Sequence, residues 1–366
     1  MINIKIGDCL EVLKTLPKNH FDTVVTSPPY YGLRDYNTGT WVGGDPNCPH
    51  KRLTKISKDT ATGHANMYDH GDVVGDAIYR QKCPICGAER KDSQIGLELT
   101  PQDYVRRLVE VFRGVRDTLK EDGTVWLNLG DTYHNYRADG MNVKQTLHKD
   151  KHDQPEVSPN RANKIQGLKE KDLMGIPWRV AFALQEDGWY LRQDIIWHKP
   201  NPMPESVKDR CTKAHEYIFL LSKNSHYYFD HEAIQEEASQ NRWGGKTPIN
   251  VDNSKDKENV FNGLTRERDM MPETKNKRSV WTVNTKPYKE AHFAVFPTDL
   301  IEPCIKAGCP KDGHVLDPFG GSGTTGLVAD RLNRNATIIE LNKDYVEIAE
   351  DRLMGETPLF TKVKVL

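Results

Sequence analysis

Three groups of residues in this chain have types and spacing suited to chemistry. The first is Asp317-Pro318-Phe319-Gly320-Gly321-Ser322-Gly323-Thr324, which follows an apolar run and opens a helical one. Glycines at a strand-to-helix turn let a small ligand lie against the backbone, because no Cβ stands in the way. Glu340 closes the next apolar run about 20 residues on, where a carboxylate can accept both hydroxyls of a ribose. The Lys-Ser/Thr ending of a phosphate loop is absent, which argues against a nucleoside triphosphate. The second group is Val25-Thr26-Ser27-Pro28-Pro29-Tyr30, a rigid polar turn ending in an aromatic ring. Its consecutive prolines fix φ and keep the turn from relaxing. The third is Cys83-Pro84-Ile85-Cys86-Gly87, preceded by Cys48-Pro49-His50. Two close pairs of N/S ligands suit a tetrahedral, structural Zn²⁺. Cys-x-His is an atypical first half, so His64 or His70 can stand in for His50, and a buried or redox-active cysteine pair is the competing account.

The elements that must position these groups are read from periodicity. Residues 2–6 alternate and end at Gly7-Asp8, a strand with its carboxyl-end turn, and 8–16 fit a short helix. Residues 22–26 form an apolar strand that runs straight into Ser27. The clearest helix is 100–119. Thr100 is placed as N-cap, Pro101 at the first position and Asp103 to close a capping box, with Val105, Leu108, Val109, Phe112, Val115 and Leu119 at helical spacing. Strands are expected at 124–129, 190–197, 216–221, 314–316 and 336–339, and further helices at 178–185 and 325–332.

With 366 residues the chain suits one large domain with insertions or two domains. The 51 basic and 52 acidic residues leave a net charge of −1, so no global field draws the protein to nucleic acid and any such contact must be local. No apolar run is long enough to span a membrane. The N-terminus reads as a strand rather than a signal peptide. Seven cysteines, an odd number with one tight pair, point to a reducing compartment, the cytoplasm, rather than a disulfide scaffold.

Taken together, Thr26-Ser27-Pro28-Pro29-Tyr30 and the Asp317–Thr324 turn resemble the DNA methyltransferases that methylate an exocyclic amino group of a base, in the group whose catalytic motif precedes the cofactor motif. Gly123-Thr-Val-Trp-Leu-Asn-Leu-Gly130-Asp131, Ile195-Ile-Trp-His-Lys-Pro-Asn-Pro202 and His292-Phe-Ala-Val-Phe-Pro297 are similar to further segments of that family. The resemblance implies an α/β fold: a Rossmann-like, mostly parallel sheet of about seven strands with helices on both faces, circularly permuted and carrying insertions. It implies S-adenosyl-L-methionine as cofactor, held by Asp317, Pro318, Phe319, Gly320, Gly321, Ser322, Gly323 and Thr324, with Glu340 on the ribose and Asp8 near the adenine. It assigns residues 1–134, 176–234 and 287–366 to the catalytic domain. Residues 31–95 form an insertion with the zinc knuckle, and 135–175 and 235–286 form polar, target-recognising segments.

An exocyclic amine is a poor nucleophile because its lone pair is delocalised into the ring. Acceptors aimed at its two N–H bonds localise that lone pair, and Ser27 Oγ with the Pro28 carbonyl suit this, kept rigid by Pro29. Tyr30 offers a flat face to a base extruded from duplex DNA. Direct transfer without a covalent enzyme intermediate is expected, since none of the seven cysteines sits in a catalytic Pro-Cys turn of the type used for attack on cytosine C5. Ser before Pro-Pro resembles the cytosine-N4 enzymes, whereas Asp there typifies the adenine-N6 enzymes. Adenine N6, an RNA or protein-amide substrate, and a zinc-dependent DNA-binding module without catalysis are the alternatives. Lys199, Lys208 and Arg210 among prolines, Arg242 and Lys246, and Lys275, Lys277 and Arg278 are the basic residues expected to meet DNA. A bacterial, archaeal or phage setting fits, with monomer and homodimer both open and a separate cognate restriction endonuclease compatible.

Overall fold

The computed structural model describes residues 1–32, 36, 38–48, 50, 82–83, 85–134, 167–238, 274–286, 296–356 and 362–366. In chain order the elements begin with β1 (Ile2–Ile6), α1 (Cys9–Leu13), β2 (Phe21–Thr26), β3 (Thr40–Val42), β4 (Glu89–Lys91), α2 (Pro101–Thr118) and β5 (Leu119–Leu129). They continue with α3 (Ile176–Glu186), β6 (Tyr190–His198), β7 (His215–Ser222), β8 (Glu236–Glu237), β9 (Thr274–Lys275), β10 (Val280–Thr282) and α4 (Thr298–Gly308). The last are β11 (His314–Asp317), α5 (Thr324–Arg331), β12 (Asn335–Glu340), α6 (Lys343–Glu356) and β13 (Val363–Val365).

A nine-stranded sheet, ordered β10-β6-β7-β5-β2-β11-β12-β1-β13, organises the molecule. All its pairings are parallel except those of β7 with β5 and β6. The seven expected strands form its centre. The two additional edge strands, β10 and β13, are three residues each, too short to leave a period. Both faces are covered. Val24, Val125, Phe219, Leu316 and Ile339 join the core under α1, α2 and α3. Their neighbours Val25, Trp126, Leu220, Val315 and Ile338 join the core under α4, α5 and α6. That two-residue alternation, apolar on both sides, is what a sheet sandwiched between helix layers requires. β2 is buried along its whole length.

α2 starts as its sequence suggests: Thr100 Oγ1 accepts from the Asp103 amide at 3.1 Å, and Pro101 occupies the first turn. α1 is shorter than expected because it stops at Leu13. β5 begins at Leu119, directly where α2 ends, and runs on through Asp122-Gly123. α4 and α6 are not legible from periodicity: α4 contains Pro303, and half of α6 is charged, with only Val346, Ala349 and Leu353 buried.

Two neighbour relations place the site. β2 lies parallel to β11, with Val24 opposite Leu316, so the turns that follow them leave the same edge of the sheet. β1 lies parallel to β12, with Ile6 opposite Glu340, and the Gly7 amide donates to the Glu340 carbonyl at 2.9 Å. The first strand of the chain thus completes the half of the sheet built by the last ones. Ligands of open parallel sheets bind at such carboxyl edges.

Candidate active site

The two turns and Glu340 open onto one cavity of about 920 Å³. Ser27, Pro28, Pro29 and Tyr30 line it from β2, Pro318, Phe319, Gly320, Gly321, Ser322 and Thr324 from the turn after β11, and Asp8 from the end of β1.

On the glycine side, Gly321 has a left-handed backbone (φ 49°) with open space where a side chain would stand. Gly323 is also left-handed (φ 76°) but faces inward, where a Cβ would lie 3.0 Å from Ala349 Cβ. Gly323 therefore lets α6 approach and does not reach the cavity. The Glu340 carboxylate accepts from the Gly321 amide at 2.7 Å and from the Asn342 amide at 2.8 Å. Burial holds this carboxyl above its usual range, and the two amides counteract only part of that. Asp8 caps α1 through the Leu10 amide at 2.8 Å, with Arg107 at 3.9 Å from its other oxygen. Ser322 and Thr324 hydroxyls both accept from Arg352, at 3.2 and 2.9 Å.

Asp317 stands behind the cavity wall. It is 1% exposed and accepts from Thr26 Oγ1 and Thr325 Oγ1 at 2.6 Å each and from the Phe319 amide at 3.0 Å. Burial raises its carboxyl, against the pull of those hydroxyls. Its side chain ties the serine turn to the glycine turn.

On the serine side, Ser27 Oγ donates to Asn128 Oδ1 at 3.3 Å. Tyr30 Oη reaches Glu216 Oε2 at 2.6 Å and Asn128 Oδ1 at 3.1 Å. Burial and the adjacent Glu216 push the Tyr30 phenol well above its usual value. A Cβ at Gly130 would meet the Tyr30 ring at 2.5 Å, so glycine there is what allows the ring to lie against the end of β5. Asn128 Nδ2 also donates to the Tyr217 carbonyl at 3.1 Å, and Tyr104 Oη donates to the Pro29 carbonyl at 2.9 Å. Asn128 and Glu216 are members of this site that the sequence reasoning missed. A polar residue inside the apolar strand Thr-Val-Trp-Leu-Asn-Leu was the available signal for Asn128. Glu216 had none, because its role arises from β7 folding antiparallel onto β5.

The basic residues expected at DNA fall in different surroundings. Lys199 lines the cavity, pairs with Glu216 and sits 4.2 Å over the Trp197 ring. Arg210 pairs with Glu205 at 2.5 Å and lies 3.9 Å over the Tyr133 ring. Lys275 and Arg278 both face Glu236, at 3.5 and 2.5 Å, and Lys277 is 5.2 Å over Trp281. Lys208 is exposed, and Arg242 and Lys246 lie outside the described residues. Lys213, not singled out from sequence, also lines the cavity, and burial holds its ammonium below the usual range, against the pull of Asp131.

Away from the cavity, Cys48, His50, Cys83 and Cys86 converge, with one ligand atom of each within 4.8 Å of all the others. Cys48 and Cys83 sulfurs are 3.7 Å apart, and Cys86 Sγ is 3.5 Å from His50 Nδ1. His50 has a left-handed backbone (φ 49°), uncommon outside glycine, and its ring stacks on Trp41 at 4.4 Å. His64 and His70 lie outside the described residues.

A family model for DNA methylases of the N6/N4 class matches residues 21–351. The chain belongs to the N6/N4 DNA methylase family. Within it, the type II methyltransferase M.SmaI of Serratia marcescens is 41% identical over 351 residues, 96% of this chain and 90% of that protein. M.Cfr9I of Citrobacter freundii is 40% identical over 354 residues, 96% and 87% of the two chains. Two solved structures share the fold. TTHA0409 of Thermus thermophilus, in complex with S-adenosyl-L-methionine, superposes with a TM-score of 0.53 at 19% identity over the whole of both chains. The cytosine-N4-specific PvuII DNA methyltransferase superposes at 0.53 with 17% identity, over 99% of this chain and 94% of that one. The methylase is thus an S-adenosylmethionine-dependent DNA methyltransferase with the mostly parallel sheet of its family. Among its described residues no helix is long and apolar enough to cross a membrane.

Proposed function

We propose that this methylase transfers its methyl group to the exocyclic N4 of cytosine in duplex DNA, with the target base flipped into the Ser27–Tyr30 side of the cavity. The acceptor role of this turn is supported by one observation: the Ser27 hydroxyl donates to Asn128 Oδ1. Its proton is then committed inward, and its lone pairs face the cavity as acceptors for an amine N–H. Pro28 and Pro29 fix the turn, so the Ser27 oxygen and the Pro28 carbonyl need no reorganisation when the amine arrives. With both N–H bonds engaged, the nitrogen lone pair is localised for in-line attack without a covalent enzyme intermediate. Tyr30, anchored by Glu216 and Asn128, presents a fixed ring to the base. Holding the reactants together in this orientation supplies much of the rate.

The residues on the glycine side fit the cofactor. An open left-handed glycine at Gly321, the apolar flank of Phe319 and a desolvated carboxylate at Glu340 suit an adenosyl group with a free ribose. Each Glu340 oxygen accepts one amide and keeps a lone pair for a ribose hydroxyl. S-adenosylmethionine supplies a methyl group activated by its sulfonium. Adenine N6 requires the same acceptor geometry, and serine at position 27 is what favours cytosine. Nucleoside analysis of DNA methylated by the purified enzyme tests the assignment: N4-methylcytosine is expected, and N6-methyladenine overturns it.

The cysteine cluster fits a structural zinc ion. A tetrahedral site with Zn–S bonds of about 2.3 Å separates its sulfurs by about 3.8 Å, and the Cys48–Cys83 distance is 3.7 Å. The ligands would be Cys48, His50, Cys83 and Cys86. Metal analysis of protein purified without chelator is expected to give one zinc per chain.

A further inference from the structure

The cysteine cluster sits at one end of the β3–β4 pair, and the other end of that pair reaches the cofactor cavity. Tyr36, Thr38 and Gln94 line the cavity together with Tyr345 of α6. A continuous set of contacts joins the two ends. Gly39 passes across Arg90 so closely that a Cβ there would overlap Arg90 Nε. Arg90, its side chain 2% exposed, pairs with Asp92 at 2.7 Å. Asp92 accepts from Thr38 Oγ1 at 2.7 Å and from the Gln94 amide at 3.0 Å. Gln94 Oε1 accepts from the Tyr36 amide at 2.7 Å. The Tyr36 carbonyl accepts from Asn342 Nδ2 at 3.1 Å, and the Asn342 amide donates to Glu340 Oε1 at 2.8 Å. Glu340 is the carboxylate placed to hold the ribose.

Each strand of the β3–β4 pair has three residues, and an isolated two-stranded antiparallel pair of that size is marginal in water. Its own apolar cluster is Cys48, Cys83 and Ala88, with Trp41 and Cys86 packed against them. Four metal bonds would supply the missing stability, since metal binding to such a module is folding free energy.

We propose that this strand pair is part of the cofactor site, and that zinc on its four ligands and S-adenosylmethionine on the glycine turn bind cooperatively. The proposal rests on the metal and cofactor assignments given under the proposed function. Zinc fixes the β3–β4 pair, the pair fixes Tyr36 and Gln94 at the cavity, and Tyr36 fixes Asn342 against Glu340. By linkage the effect is reciprocal: bound cofactor holds the zinc more tightly by the same factor.

The test measures zinc content by plasma mass spectrometry and S-adenosylmethionine affinity by calorimetry on full-length protein. Wild type is expected to carry one zinc. Cys83→Ser is expected to carry none and to bind cofactor about tenfold more weakly, a typical coupling between linked sites. Gln94→Ala is expected to keep its zinc and still lose several-fold in cofactor affinity. Should Cys83→Ser fail to fold, wild type decides alone: saturating cofactor should slow the capture of zinc by 4-(2-pyridylazo)resorcinol. Unchanged affinity in either variant, or a capture rate indifferent to cofactor, overturns the coupling while leaving the metal site intact. Wild type devoid of zinc overturns the metal assignment itself, and the Gln94→Ala affinity then reports separately on the β3–β4 wall of the cavity.

Discussion

Thr26 Oγ1 donates to Asp317 Oδ1 at 2.6 Å, joining the residue before Ser27 to the residue before the glycine turn across 291 positions of sequence. The same carboxylate accepts from Thr325 at the start of the next helix. The serine turn and the glycine turn are therefore tied by one buried acid, and their relative position does not rest on loop stiffness alone.

Removing one donor from this acid should be costly, because it stays buried. Thr26→Val is expected to destabilise the fold by about 1.5–3 kcal/mol, the usual range for a hydrogen bond to a charged group. Urea denaturation followed by circular dichroism measures it. A loss under about 0.5 kcal/mol, the scale of an inconsequential substitution, would contradict the locking role.

Tyr30→Phe keeps the ring and deletes the hydroxyl that meets Glu216 and Asn128. Glu216 is then left with Asn128 and Lys199. Turnover is expected to fall by roughly 10- to 100-fold, equivalent to about 1.5–3 kcal/mol of misplaced base. Cofactor affinity should stay within about twofold, as expected of an undisturbed site. Single-turnover methylation and calorimetry separate the two effects, and a variant that loses cofactor binding along with turnover would move Tyr30 out of the base-holding role.

Burial raises the Glu340 carboxyl above its usual range, which fixes the sign of a pH effect on cofactor binding. The ionised form is the acceptor. Affinity should be full above the raised value and decline as pH falls through it, at a higher pH than an ordinary glutamate would give. Glu340→Gln should bind cofactor weakly with a flat profile over this range. Cofactor dissociation constants from about pH 8 down to about pH 4.5 test this, and an identical pH dependence in wild type and Glu340→Gln would assign the titration elsewhere.

The sequence made legible what is written locally. Pro28-Pro29, the Gly320–Gly323 run and Glu340 at a strand end have short-range signatures, and the β2 and β11 strands leading into the turns centre on the apolar pairs Val24-Val25 and Val315-Leu316. The cysteine pairs were legible for the same reason: Cys-x-x-Cys-Gly states its own turn. What stayed hidden depends on pairing between distant elements. Glu216 meets Tyr30 only because β7 inserts antiparallel beside β5, and Tyr36 meets Asn342 across 306 positions. α4 was obscured by Pro303, which sequence rules place outside helices, and α6 by a surface so charged that three buried residues carry its whole apolar face. Lys199, expected at DNA from its charge among prolines, also has a partner in Glu216 that only the fold reveals.

Ser27 is proposed to receive the exocyclic amine of cytosine. The most direct measurement is mass spectrometry of nucleosides, with single-molecule sequencing, on DNA from a methylation-free host expressing wild type or Ser27→Ala. Wild type should yield N4-methylcytosine in one short motif. Ser27→Ala should yield on the order of 10²-fold less per unit time, the scale of losing one preorganised polar contact to the reacting group, with its cofactor affinity retained. N6-methyladenine from wild type, or undiminished N4-methylcytosine from Ser27→Ala, would contradict the account.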